Sequence, residues 1–259
     1  AFAVSFVRFG VDDIPNTTQL IDAEGNIDFN RVSSFSAADY AGLISYARES
    51  GIQGLSYGAN VKIIHRNVGD FADAWGFGLD ASARYERGKW TYAAMARDVT
   101  STFNAWTSNL DAETQRVFLL TGNELPENSV ELTLPELLLG INRKFIFSNR
   151  IGMIAELNLK NTFDGQRNVL LSADPISIDP SLGLEATYDD LIFLRLGVGN
   201  VQITDDIDGN RITTFQPNFG LGVRFSSFSI DYALTDIGDR SVALYSNVFS
   251  LRIDLNRKP

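Results

Sequence analysis

Phe228-Ser-Ile-Asp-Tyr-Ala-Leu-Thr235 decides the fold class. Phe228, Ile230, Tyr232 and Leu234 alternate with Ser229, Asp231, Ala233 and Thr235, and a period of two is the signature of a β-strand. The pattern returns in Phe249-Ser-Leu-Arg-Ile-Asp-Leu255, with Phe249, Leu251, Ile253 and Leu255 on one face and Ser250, Arg252 and Asp254 on the other. One face is almost uniformly apolar, and the other carries full charges in mid-strand. A membrane barrel with lipid outside and water inside suits both faces at once.

Working outward, alternating runs bounded by turn residues fall near 1–10, 38–48, 54–65, 75–86, 89–99 and 131–146. They continue near 150–162, 176–188, 191–204, 212–225, 228–236 and 242–255, about twelve strands in all. Most run to roughly 10 to 14 residues, longer than the 5 or 6 usual in soluble sheets, and a tilted membrane strand needs about 9 to 11. The connections alternate too. Short turns are expected at Glu49 to Gly54, Arg87 to Lys89, Phe147 to Arg150, Asp189-Asp190 and Ser226-Ser227. Between them lie Val11 to Ser36, Arg66 to Ala74, Thr100 to Asn128, Phe163 to Pro175, Asp205 to Arg211 and a compact Gly238 to Arg240. Short turns at one end and long loops at the other mark an all-β, up-and-down antiparallel transmembrane barrel with periplasmic turns. Tyr85, Trp90, Tyr92, Phe145, Phe147, Tyr188, Phe225 and Phe228 flank the short turns, as an interfacial aromatic girdle would.

The 259 residues read as one barrel domain, since no linker or low-complexity run divides them. With 22 basic against 32 acidic residues the formal charge is -10, which sets nucleic acid aside as a partner. Cysteine is absent, so disulfides and thiolate chemistry are excluded, and no run of about 18 apolar residues offers a spanning helix. A spanning chain of this kind must close into a barrel, because only closure satisfies every backbone group in lipid. The expected location is the bacterial outer membrane, with its lipid as the surrounding partner. The sequence opens at Ala1 already in an alternating run and shows no signal-peptide pattern, so further N-terminal residues are expected to precede it.

The face opposite the large apolar residues carries Asp80, Arg84, Arg97, Glu156, Lys160, Asp179, Glu185, Arg195, Arg224, Asp231, Arg252 and Asp254. These are expected to line the lumen as paired ladders of both signs. Gly76, Gly78, Gly197, Gly199, Gly220 and Gly222 share that face, for strand coiling or for close approach by an internal plug. Phe71, Trp75, Phe103 and Trp106 are expected at the outer end, on long loops, either as anchors for a protein partner or folded back to staple the barrel mouth.

Chemistry is sparse. His65 is the sole histidine and reads as structural or solvated, and no triad assembles by spacing, so neither an enzyme nor a cofactor is expected. Asp206, Asp208 and Asn210 alternate like calcium ligands, but Arg211 stands where the loop glycine belongs and Pro217 where the last acid belongs. The run Asp22 to Asn26 is weaker still.

Several of these stretches resemble the PorV/PorQ family of Bacteroidetes-type outer-membrane proteins, itself similar to the FadL-like transporters of hydrophobic compounds. They are Phe9 to Thr17, Phe35 to Ala41, Asn60 to Ile64, Phe71 to Asp80, Arg97 to Trp106 and Asp231 to Gly238. The resemblance implies a fourteen-stranded barrel with an N-terminal hatch, so two strands are expected ahead of the twelve found here. It also implies a role in type IX protein secretion, the loops after residues 11, 66 and 100 docking a translocon subunit or a secreted protein with a C-terminal signal domain. The alternative is a FadL-like channel for hydrophobic small molecules.

Overall fold

Wherever the two faces of a run differ in polarity, the chain is extended. The computed structural model describes residues 1–21, 25–205, 211–237 and 245–255. Its strands are β1 (Phe2–Asn16), β2 (Ser33–Glu49), β3 (Leu55–Val68), β4 (Ala72–Arg87), β5 (Trp90–Arg97), β6 (Thr102–Ser108), β7 (Ser129–Thr133) and β8 (Glu136–Ile146). They continue as β9 (Ile151–Thr162), β10 (Leu171–Ser172), β11 (Ser177–Tyr188), β12 (Ile192–Asp205), β13 (Arg211–Phe225), β14 (Phe228–Thr235) and β15 (Ser246–Ile253). The helix α1 (Ala112–Leu120) lies between β6 and β7, and among the described residues no helix is long and apolar enough to cross a membrane.

Among the described residues the sheet has 15 strands and a serial order, β1-β2-β3-β4-β5-β8-β9-β11-β12-β13-β14-β15, a path of twelve. Off that path, β6 pairs with β4 and β7, and β10 with β11. Every register resolved is antiparallel, and β1 and β15 end the order. The contacts group into two compact units, one of residues 1–48, 58–81 and 97–135, the other of 49–57, 82–96 and 136–259.

The alternation is interrupted at three places, and at the first two strand continues where a loop was expected. The register of β1 on β2 shifts between Val11 and Ile14, with Asp13 at φ 57°, so the pair runs on to Asn16 and Ser33 where a loop from Val11 was expected. Asp98 and Ser101, both at φ 53°, interrupt β5, and the chain resumes pairing with β4 as β6. In β12 the shift between Gly199 and Gln202 falls at Asn200, at φ 50°. Each inserted residue breaks the period of two while leaving the ladder in place. The expected long loop from Arg66 to Ala74 is instead a tight turn at 69–71, with the Phe71 amide donating to the Val68 carbonyl at 3.0 Å. The short turns fall as expected, Ser226 taking φ 43° between Phe225 and Phe228. The expected turn at Gly238 to Arg240 and the tail after Leu255 lie outside the described residues.

Candidate functional site

The large apolar side chains of the alternating strands are exposed. Phe249 and Leu251 are 76% and 66% exposed, whereas Asp80 and Asp98 keep 5% and 6%. Among the described residues the buried hydrophobic side chains are Ala38, Ala74 and Phe193, while Asp80, Asp98, Thr102, Asn104, Asn161, Thr162 and Ser177 are buried polar ones. A protein folded in water has the opposite distribution. Antiparallel, up-and-down, apolar on the exposed face and charged on the other, this sheet has the fold class of the outer-membrane barrels.

In the first unit the polar face centres on Lys62. Its ammonium meets Asp80 at 2.8 Å and also pairs with Asp98. Asp80 accepts from Asn60 at 3.3 Å and from the Asp98 amide at 3.0 Å, and the Thr102 hydroxyl donates to Asp98. The cluster therefore pins the interruption at 98–101 to β3 and β4. Glycines make it possible. A Cβ on Gly78 would collide with the Thr102 hydroxyl and one on Gly76 with Asn104, so the β6 side chains lie flat across β4.

Nearer the end of β3, Arg66 donates to Asp39 at 3.0 Å and to Glu131 at 2.8 Å, with its guanidinium 5.0 Å from the Trp106 ring centre. The Trp106 indole N–H also donates to Glu131, at 3.0 Å. The four aromatics expected together on long loops are thus split. Trp106 and Phe103 stand on β6, Trp106 within the Arg66 network and Phe103 exposed beside Phe77, the rings 6.4 Å apart. Trp75 stands on β4, stacked at 4.5 Å on His65, which lies 6.3 Å from Tyr40. Phe71 closes the tight turn edge-on to Phe35 at 4.9 Å. The interruption at 98–101 accounts for Phe103 and Trp106: it ends the alternation and gives the next strand the look of a loop.

In the second unit the polar face is organised by Arg195. It donates to Glu185 at 2.6 Å and to Asp231 at 2.5 Å, reaching from β12 across β13 to β14. Gly220 and Gly222 lie beneath it; a Cβ on Gly222 would stand 3.1 Å from Arg195 Nη1. Phe193 is buried under two cations, 5.4 Å from Arg195 and 4.7 Å from Arg224. Glu156 accepts from Asn158 at 2.7 Å and from Asn142 at 3.5 Å, and Asp179 stands in register with Lys160. Arg84 pairs with Glu86 at 2.5 Å and Arg252 with Asp254 at 3.1 Å, both exposed; Arg97, which closes β5, belongs to the first unit. Among the polar residues expected here, Glu185, Arg195 and Asp231 come together. In the first unit Asp80 joins Lys62 and Asp98, which were not singled out. Lys62 was findable, since it sits two residues from Asn60 and four from Arg66 on one face.

The exposed face of this unit carries Trp90 and Tyr92 on β5 and Tyr85 on β4, rings 6.4 and 6.5 Å apart. Arg143 lies 5.0 Å from both the Trp90 and Phe145 ring centres. In the loops, hydrogen bonds from Arg167 hold the Asp164 carboxyl below its ordinary range, and the Thr114 amide does the same for Asp111, the N-cap of α1. Among the described residues no three His, Cys, Asp or Glu side chains converge to hold a metal ion. The calcium-like run at 206–210 and most of the one at 22–26 lie outside them.

No protein-family model matches the chain, and no curated protein matches it. Among solved structures it is similar to the toluene transporter TodX of P. putida, at 12% identity and TM-score 0.49 over 90% of this chain and 72% of that one. It is also similar to a triple mutant of the Rhodopseudomonas blastica porin, at 12% identity and TM-score 0.34 over 98% and 90%. Likeness at these values assigns neither a family nor a function.

Proposed function

We propose that the chain is a non-enzymatic β-barrel of the bacterial outer membrane whose charged face lines a water-filled passage for small molecules. The observation that carries the reading is the inverted distribution of side chains, with aromatic and aliphatic residues exposed and the Arg195 and Lys62 clusters on the sheltered face. Unsatisfied or charged groups facing hydrocarbon cost several kcal/mol each, so the charged face turns to water and the apolar face to lipid. This passage is of the FadL-like or porin-like kind, in which the paired charges set selectivity. Purified protein reconstituted in planar bilayers is expected to conduct ions, and Arg195→Glu, which turns a pair of acids around one base into three acids, is expected to shift selectivity toward cations at least threefold. Conductance equal to that of protein-free bilayers, or a chain that stays in solution without detergent, would refute the reading.

A second reading, docking of a secreted or translocon protein as in type IX secretion, draws on one feature of the long connection at 109–128. On α1, Leu119 and Leu120 are 61% and 74% exposed, and exposed leucines at a helix end suit a protein contact. Replacing both with serine is expected to abolish co-purification of such a partner while leaving conductance unchanged.

A further inference from the structure

The second unit has a groove of about 430 Å³ on its exposed apolar face. Ala83 and Ala94 form its low floor, and Tyr85, Tyr92, Leu139 and Leu157 are among its walls. Its lining is almost wholly carbon, and its volume lies in the range of about 300 to 1,000 Å³ that holds small ligands. A recess of this kind does not retain water, and an empty one forfeits dispersion contacts along its walls. In a membrane the occupant at hand is an acyl chain.

The groove has a polar end. On β8, Arg143 is two residues past Ile141 on the same face, and on β5 Trp90 is two residues before Tyr92, so both stand at the short-turn side of the groove. Arg143 pairs in register with Ala155, so no carboxylate faces it across that ladder, and its guanidinium is exposed between the Trp90 and Phe145 rings. A guanidinium held between aromatic planes at the edge of an apolar surface keeps its N–H groups for an anion, and its fork matches two oxygens of a phosphate.

We infer that this face is a binding site for one anionic phospholipid of the leaflet at the short-turn end, with its phosphate on Arg143 and an acyl chain in the groove over Ala83 and Ala94. The inference rests on the membrane reading above. It goes beyond that reading by naming a lipid class and an orientation, and it is separate from any passage along the charged face.

The test is native mass spectrometry of the full chain released from neutral detergent, titrated with phosphatidylglycerol or phosphatidylcholine of identical acyl chains. The wild-type protein is expected to prefer phosphatidylglycerol at least fivefold. Arg143→Gln should weaken phosphatidylglycerol about tenfold and phosphatidylcholine, whose phosphate is partly neutralised by its own ammonium, less than threefold, whereas Ala94→Leu, which fills the groove, should weaken both equally. Leu194→Ala, on the apolar face of β12, should change neither. Unheated gel mobility verifies that each variant is folded. Equal binding of both lipids by wild type, or Arg143→Gln or Ala94→Leu indistinguishable from wild type, overturns the site while leaving the membrane reading intact. A chain soluble without detergent overturns both.

Discussion

Lys62→Met is the sharpest test of the sheltered charge cluster. The change keeps the length and most of the volume of the side chain but removes the ammonium that meets both Asp80 and Asp98. At 2.8 Å from Asp80, with an effective dielectric near 20, the attraction alone is about 6 kcal/mol. Desolvating the ammonium offsets much of that. The larger penalty falls on the two carboxylates, each less than a tenth exposed, which lose their counter-charge together. Removing one member of a buried pair costs about 3 to 5 kcal/mol. Asp80 keeps its bonds from Asn60 and from the Asp98 amide, so the lower end, about 3 kcal/mol, is expected. Adding Asp80→Asn and Asp98→Asn to Lys62→Met removes the stranded charges and should recover at least half of the loss; asparagine also suits the positive φ at position 98. Denaturant unfolding in detergent micelles, read by Trp75 and Trp106 emission, measures each variant. A Lys62→Met loss below about 1 kcal/mol would mean that water screens the cluster as it screens a surface pair, and the burial argument would fall. So would a triple variant no more stable than the single one.

Gly222→Val should cost about 1 to 3 kcal/mol by the same unfolding assay, because its Cβ would displace the Asp231 carboxylate and press on Arg195 and Phe193. Gly183→Val, where a Cβ meets open space in β11, should be neutral or slightly stabilising. In the loop after β9, Asp164 accepts from Arg167 Nε at 2.8 and 3.0 Å and its pKa is lowered. A carboxyl whose folded pKa lies below its unfolded value stabilises the fold above about pH 4 and loses that contribution as the pH falls through the folded pKa. Titration of the Asp164 carboxyl by NMR should therefore give a midpoint below the ordinary aspartate range, and Arg167→Gln should return it there.

What the sequence made legible follows from what a period of two encodes. In β11, β13 and β14 the apolar positions Leu184, Leu221 and Ile230 alternate without interruption with Glu185, Gly222 and Asp231, so strand, face and hairpin order could all be read from composition. Where extra residues enter, at Asp13 or at Asp98 to Ser101, the phase slips and the continuing strand resembles a loop, although pairing resumes beyond it. That slip conceals β6 and gives Phe103 and Trp106 the look of loop residues.

The glycines carry the deeper point. Gly76 and Gly78 on β4, and Gly220 and Gly222 on β13, read equally well as coiling points or as clearance for a plug. In the structure both pairs serve as gaps over which a neighbouring polar side chain lies: Asn104 and Thr102 over β4, and Arg195 over β13. An arginine on β12 can reach an aspartate on β14 only if the strand between them lacks side chains at that height. A period-two reading matches residues within a strand or across one ladder. It has no term for a pair separated by a whole strand, so Glu185, Arg195 and Asp231 can be read onto one face without being recognised as one site. The same reasoning explains Lys62 and Asp98. They are 36 residues apart, and they meet because the bulge that defeats the alternation also turns Asp98 toward β3.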